Sequence, residues 1–80
     1  MNAKENVYYG RMYDKFLLVI LNYMQEGRLY TSREFLKVAR KSVSSTADKS
    51  RMHIWMRKLR EEKQCHYQKL NRVYIYWVKK

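Results

Sequence analysis

The sequence predicts a mainly α domain closed by a small β-hairpin, an α+β arrangement of three helices and two strands. Three observations predict it. Apolar residues recur at helical spacing through three successive segments. A β-branched and aromatic run, Val73-Tyr74-Ile75-Tyr76-Trp77-Val78, follows a shorter strand candidate across turn-forming residues. The 46% apolar and 15% aromatic content is that of a folded chain, not of a disordered basic tail. Eighty residues with no proline, no repeat and no Gly/Ser linker make one domain, residues 1–80, whose core is small.

Residues 1–8 are polar and are expected to fray. From about Gly10 to Glu26 a helix is expected, with Tyr9, Tyr13, Phe16, Leu17, Ile20, Leu21 and Met24 recurring at helical spacing, and Gly27 follows where a residue of positive φ is wanted. Leu18 and Val19 broaden this apolar face, which implies heavy burial or a dimer contact. Thr31-Ser32-Arg33-Glu34 reads as a capping box, and Tyr30 and Phe35 occupy the two positions of a hydrophobic staple. The second helix runs on through Ala39, with a break over Arg40 to Ser44. Ser44 or Ser45 can cap a third helix that extends to about Glu62, and Ser45-Thr46-Ala47-Asp48 is a weaker box. Met52, Trp55, Met56 and Leu59 share one face of that helix. Thr46, Lys49, Ser50, His53, Arg57 and Arg60 fall within an arc of about 100° on another, at roughly 100° per residue. Ile54 lies outside the apolar stripe without an evident role. Cys65-His66-Tyr67-Gln68 and Val73–Val78 form the hairpin, joined by Lys69-Leu70-Asn71-Arg72 with Asn71 suited to a left-handed conformation.

Charge is divided unevenly between the two halves. Residues 1–35 carry 5 basic and 4 acidic side chains, whereas residues 36–80 carry 13 basic and 3 acidic, so the second part holds nearly all of the net +11. Such charge bears on partners, and a basic surface on a small domain is the footprint of phosphate binding. Cys65 is single, which excludes an internal disulfide and a Cys-rich zinc site, and His53 and His66 add too few ligands for a mixed one. No metal or cofactor is expected. The longest apolar run, Phe16 to Leu21, is six residues, far short of a membrane span, and no segment reads as a secretory signal. A cytoplasmic, nucleoid-associated setting is expected. There is no Gly-rich phosphate loop, no pair of carboxylates in apolar surroundings and no nucleophile–base spacing, so an enzyme is not expected.

Three helices with a tight break before the third, then a basic-tipped hairpin, resemble the winged helix-turn-helix family over roughly residues 12–78. Leu59-Arg60-Glu61-Glu62-Lys63-Gln64-Cys65 looks like the close of that family's recognition helix. The aromatic strand Tyr74-Ile75-Tyr76-Trp77 is loosely similar to small bacterial regulators of the pilus-operon type. The resemblance implies a helix-turn-helix over residues 31–62 and a wing over residues 65–78. Two features depart from the family. Lys41-Ser42 stands where glycine is common in the turn. The interval from Val43 to Leu59 is about one helical turn longer than usual, so the third helix can start late, after a loop through Ser44 to Thr46.

A major groove accepts a helix, and side chains with donors read its base edges. Thr46, Lys49, Ser50 and His53, in the first turns of the third helix, are the base-reading candidates. Arg51, Arg57 and Arg60 on that helix and Arg33, Lys37, Arg40 and Lys41 near the second are backbone candidates. Ser45, with Thr46, would meet a phosphate favoured by the helix dipole, and Lys69 and Arg72 at the hairpin tip would reach an adjacent groove or phosphate. Each basic residue has a plainer alternative as a solvated surface charge, and Arg57 and Arg60 can instead pair with Glu61 or Glu62.

The expected function is sequence-specific double-stranded DNA binding by a transcriptional regulator. Homodimerisation through the first helix would use Tyr8, Tyr9 and Tyr13 with the apolar face of Phe16 to Leu21. Two alternatives use the same fold. One is an interaction module for an acidic protein partner, and the other is an RNA or single-strand binder stacking bases on Tyr67, Tyr74 and Tyr76.

Overall fold

A computed structural model describes the backbone of residues 3–79 and the side chains of residues 11–79. Three helices, α1 (Ala3–Tyr23), α2 (Ser32–Ser42) and α3 (Lys49–Glu61), precede an antiparallel hairpin of β1 (His66–Leu70) and β2 (Val73–Trp77). The chain is therefore α+β, in the expected order of elements.

Helix α1 begins earlier than its apolar periodicity suggests, taking in residues 3–8, and it ends three residues before Glu26. The early end has a local cause. The Gln25 amide, next in line to extend the helix ladder, donates to the Tyr30 phenol at 2.7 Å instead. Gly27, at φ +84°, then turns the chain, as its position after the helix requires.

Thr31 is the extended N-cap residue of α2, but its side chain makes no capping bond. The capping box does not form because Glu34 is engaged elsewhere. Its carboxylate accepts from the Tyr23 hydroxyl at 3.2 Å and lies 4.0 Å from Arg28. The hydrophobic staple does form, with the Tyr30 and Phe35 rings stacked at 5.7 Å. Helix α2 continues through Arg40 and Lys41 to Ser42, so the break comes later than its residue types indicate.

The start of α3 is also later than a Ser44 or Ser45 cap would place it. Asp48 is the N-cap, and its carboxylate accepts from the Arg51 amide at 2.8 Å. At the other end, Lys63 takes φ +53°, its amide bonds to the Arg60 carbonyl at 3.0 Å, and the Gln64 amide reaches Leu59 at 3.2 Å. This is a Schellman closure with lysine at the position glycine fills with least strain.

Strand β1 lies one residue further on than expected and runs to Leu70, so the hairpin loop contracts to Asn71 and Arg72. Both have positive φ, +48° and +70°, which is the type I′ geometry that matches strand twist. Tyr30 extends this sheet by an isolated antiparallel bridge to Tyr76, with both main-chain bonds at 2.9 Å.

The core lies where α1, α2 and α3 meet the inner face of the hairpin. Phe16 of α1 stacks on Trp55 of α3 at 4.7 Å, and Tyr30, Phe35 and Tyr76 close the end nearest the hairpin. Met52, Trp55, Met56 and Leu59 are buried together as their spacing predicts. The Tyr13 hydroxyl donates to Glu62 at 2.7 Å, and burial first, then that carboxylate, raises its pKa well above the ordinary value.

Two stability measurements follow from this packing. Lys63→Gly removes a left-handed lysine and is expected to raise the free energy of unfolding by about 0.5–1 kcal/mol, seen as a higher urea midpoint at unchanged slope. Cys65 is buried, which pushes its thiol from 9.0 up to about 11. The folded state thus favours the neutral thiol. Its contribution is complete below pH 9 and is lost as pH rises towards about 11. Urea midpoints of the wild type and Cys65→Ala should accordingly converge over that interval.

Candidate nucleic-acid interface

The same periodicity that buries one stripe of α3 decides what the opposite stripe presents. With Met52, Trp55, Met56 and Leu59 inward, Lys49, Ser50, His53, Ile54 and Arg57 are exposed. None of these five is needed to fill the core. The sequence-predicted base readers divide accordingly. Lys49, Ser50 and His53 occupy the first two turns of the helix, whereas Thr46 lies in the preceding loop, its hydroxyl 3.0 Å from that of Ser44. Thr46 is therefore not part of the helical stripe assigned to it by wheel position. The reason is the N-cap, since Asp48 sets the first helical residue at Lys49.

That cap also alters the expected phosphate site at the start of α3. Ser45 is exposed in the loop, but the helix N-terminus already holds a carboxylate bonded to the Arg51 amide. A resident anion satisfies this end of the helix dipole and repels a second one.

The backbone candidates separate into two groups. Arg33, Lys37 and Lys41 are exposed along α2. Arg40, also on α2, is tied into the fold, because its Nε donates to the Ala47 carbonyl at 2.8 Å and so braces the α2–α3 connection. Arg51 is half-buried with its guanidinium 5.8 Å from the Trp55 ring, about 100° around α3 from Ser50. Arg60 packs under the hairpin, donating to the Tyr76 hydroxyl at 2.8 Å with its guanidinium 4.0 Å from the Tyr74 ring. Burial raises the Tyr76 pKa against the opposing pull of that guanidinium. Arg57 pairs with Glu61 at 3.2 Å, but both side chains are well exposed, so a phosphate can readily compete for Arg57.

The hairpin carries charge at its tip and on its inner face. Arg72 occupies the turn, and Lys69 is exposed on β1 with its Nζ 5.7 Å from the Tyr74 ring. Tyr67 is 41% exposed and lies edge-on to Tyr74 at 6.0 Å. The opposite face differs. His66, Gln68, Leu70, Ile75 and Trp77 line a shallow, mostly apolar groove against Arg28 and Leu29 of the α1–α2 connection.

Helix α1 contributes less free surface than its periodicity implies. Tyr13 and Phe16, expected in a dimer contact, are buried within the monomer, and Leu18 and Leu21 remain exposed. The side chains of Tyr8 and Tyr9 lie outside the described residues. No helix among the described residues is long and apolar enough to cross a membrane.

One contributor, Ile54, was not legible as a site residue in the sequence. Ile54 falls in the second turn of α3 only because the helix starts at Lys49, and the signal for that start is Asp48, a stronger cap than the serines before it when no Glu or Gln completes their box. Of the three tyrosines named as stacking candidates, the strand register leaves Tyr67 exposed, Tyr74 half-buried and Tyr76 buried. No protein-family model, curated protein or solved structure matches the chain.

The division among the arginines is measurable. Arg40→Ala should lower stability by about 1–2 kcal/mol through loss of its bond to Ala47, whereas Lys37→Ala on the same helix should change it by less than about 0.5 kcal/mol. Chemical denaturation of the two variants side by side distinguishes the brace from the surface charge.

Proposed function

We propose that this chain is a sequence-specific double-stranded DNA-binding protein that acts as a transcriptional regulator of the winged helix-turn-helix kind, working in the cytoplasm on the nucleoid. In this reading α3 lies in the major groove, the tip of the hairpin rests on the adjacent backbone or groove, and α2 lies against phosphates. One observation supports it above the others. The outward stripe of α3 carries donors that the core does not use, Lys49, Ser50, His53 and Arg57, while the other cations of α3, Arg51, Lys58 and Arg60, lie over aromatic rings.

The roles follow from chemistry. Lys49, Ser50 and His53 present hydrogen-bonding groups at the end of α3 that would enter a groove first, where base edges are read. Arg33, Lys37 and Lys41 supply sequence-blind attraction, as do Lys69 and Arg72 at the hairpin. Asp48, facing the same end, penalises misplaced phosphates and can accept from a cytosine amino group. A homodimer would set two such helices about one turn of DNA apart.

A second reading has its own support in the exposed Tyr67 edge beside Tyr74 and Lys69, a surface on which single-stranded bases could stack.

Selection from a random duplex pool at moderate and then high salt tests both. An enriched sequence is expected, and it should disappear in Lys49→Ala and His53→Ala. Arg33→Ala and Lys37→Ala should weaken all duplexes alike and flatten the salt dependence by about 0.9 in log–log slope for each phosphate that is no longer neutralised. Binding without enrichment that collapses with salt would point to an acidic protein partner, and competition by single strands that Tyr67→Ala abolishes would favour the stacking surface.

A further inference from the structure

The outward stripe of α3 contains one side chain that electrostatics does not account for. Ile54 is 61% exposed, while Trp55 and Met56 beside it are 2% exposed. At roughly 100° per residue, Ser50, Ile54 and Arg57 fall on one line down the helix, directly opposite the buried stripe. Ile54 therefore packs against no core and stands between a hydroxyl and a guanidinium, with His53 at its side. A β-branched residue is also a poor choice for an exposed helical position on propensity alone.

Those properties suit a contact in a groove. In a helix, isoleucine has one strongly preferred χ1 rotamer, so it presents a stiff apolar knob that loses little freedom on binding. The major groove offers that knob one apolar partner among its base-edge groups, the 5-methyl group of a pyrimidine. With Asp48 as cap, Ile54 belongs to the second turn of α3, within the stretch that reaches base edges if this helix enters the groove.

We propose that Ile54 recognises a pyrimidine 5-methyl group in the major groove, so that the bound sequence contains one methyl-bearing pyrimidine opposite the second turn of α3. The inference rests on the DNA-binding reading and names the base chemistry of that same surface. Thymine supplies the methyl in unmodified DNA, and 5-methylcytosine carries the same group on a G·C pair. Ser50, before Ile54 on the line, is placed to bond a flanking base pair, and Arg57, after it, a flanking phosphate.

The test uses the full chain and the duplex obtained by selection. Each thymine is replaced singly by uracil, which removes the methyl and leaves base pairing intact. At one position the wild type should lose about 3- to 5-fold in affinity, the scale of burying one methyl group. Ile54→Ala, a surface change that should leave the circular dichroism spectrum and urea midpoint nearly unaltered, should bind thymine and uracil duplexes equally at that position. Its salt dependence should match that of the wild type. Ile54→Val should keep part of the preference. If the selected site instead has cytosine there, tighter binding of the 5-methylated duplex, abolished in Ile54→Ala, identifies the second source of the same group.

A selected sequence indifferent to methyl removal or addition at every pyrimidine overturns the role of Ile54 and leaves the DNA reading intact. Equal losses by Ile54→Ala on methylated and unmethylated duplexes overturn it too. Failure to select any sequence overturns the DNA reading and this inference together.

Discussion

The paired main-chain bonds between Tyr30 and Tyr76 are the constraint on which the rest of the arrangement depends. They join the α1–α2 connection to the last strand, two segments far apart in sequence, and they leave both rings fully buried. The Tyr30 phenol captures the Gln25 amide and ends α1, while its ring stacks on Phe35 and sets the entry to α2. The Tyr76 hydroxyl accepts from Arg60 and holds the hairpin against α3. A small domain has little apolar surface to bury, and aromatic residues supply it in large units with a polar handle at the edge. Here those handles are what lock the elements in relation to one another.

The strong positive charge serves two ends. Part of it is structural, because Arg28, Arg51, Lys58 and Arg60 each lie over an aromatic ring, and Arg40 braces a connection. Such ring contacts contribute about 0.5–1 kcal/mol each at partly exposed sites, comparable to or better than isolated surface ion pairs. Of the other cations among the described residues, Arg33, Lys37, Lys41, Lys49, Arg57, Lys69 and Arg72 sit on the exposed faces of α2, α3 and the hairpin, while Arg11 and Lys15 are exposed on α1. Net charge alone could not make that distinction. Contact geometry does, and it narrows a basic half-chain to a few side chains on identifiable faces.

Local strain is concentrated at two lysine or arginine positions where glycine would sit more easily. Lys63 closes α3 and Arg72 forms the second corner of the hairpin turn, each in the left-handed region that disfavours side chains with a Cβ. Lys63 is accounted for by the Schellman bonds it completes, and its carbonyl also accepts from Lys79 at 3.2 Å. Arg72 completes no comparable network. What its position provides is a cation at the extremity of the hairpin, held by a two-residue loop with little freedom to lose.

Much of the architecture was legible in the sequence because it rests on periodicity and local chemistry. Three helices, the hairpin, the buried stripe of α3, the Tyr30–Phe35 staple, the turn at Gly27 and the left-handed Asn71 all follow from spacing and residue type. Element ends were less legible, since each is decided by competition for a hydrogen bond. Glu34 has the spacing of a capping box, yet Tyr23 and Arg28, brought near by tertiary packing, engage its carboxylate. Asp48 prevails over Ser44 and Ser45 as the cap of α3, which removes Thr46 from the helix and brings Ile54 into its second turn. The fates of Arg40, Arg51 and Arg60 were likewise hidden, because a charged side chain on a helical wheel has a direction but no partner. The sequence by itself determined which stripe of each helix is buried and that the surplus charge lies in the second half. Only the tertiary structure decided which cations the fold consumes and which it leaves facing outward, because the carbonyl and aromatic partners that consume them lie on other turns and other elements.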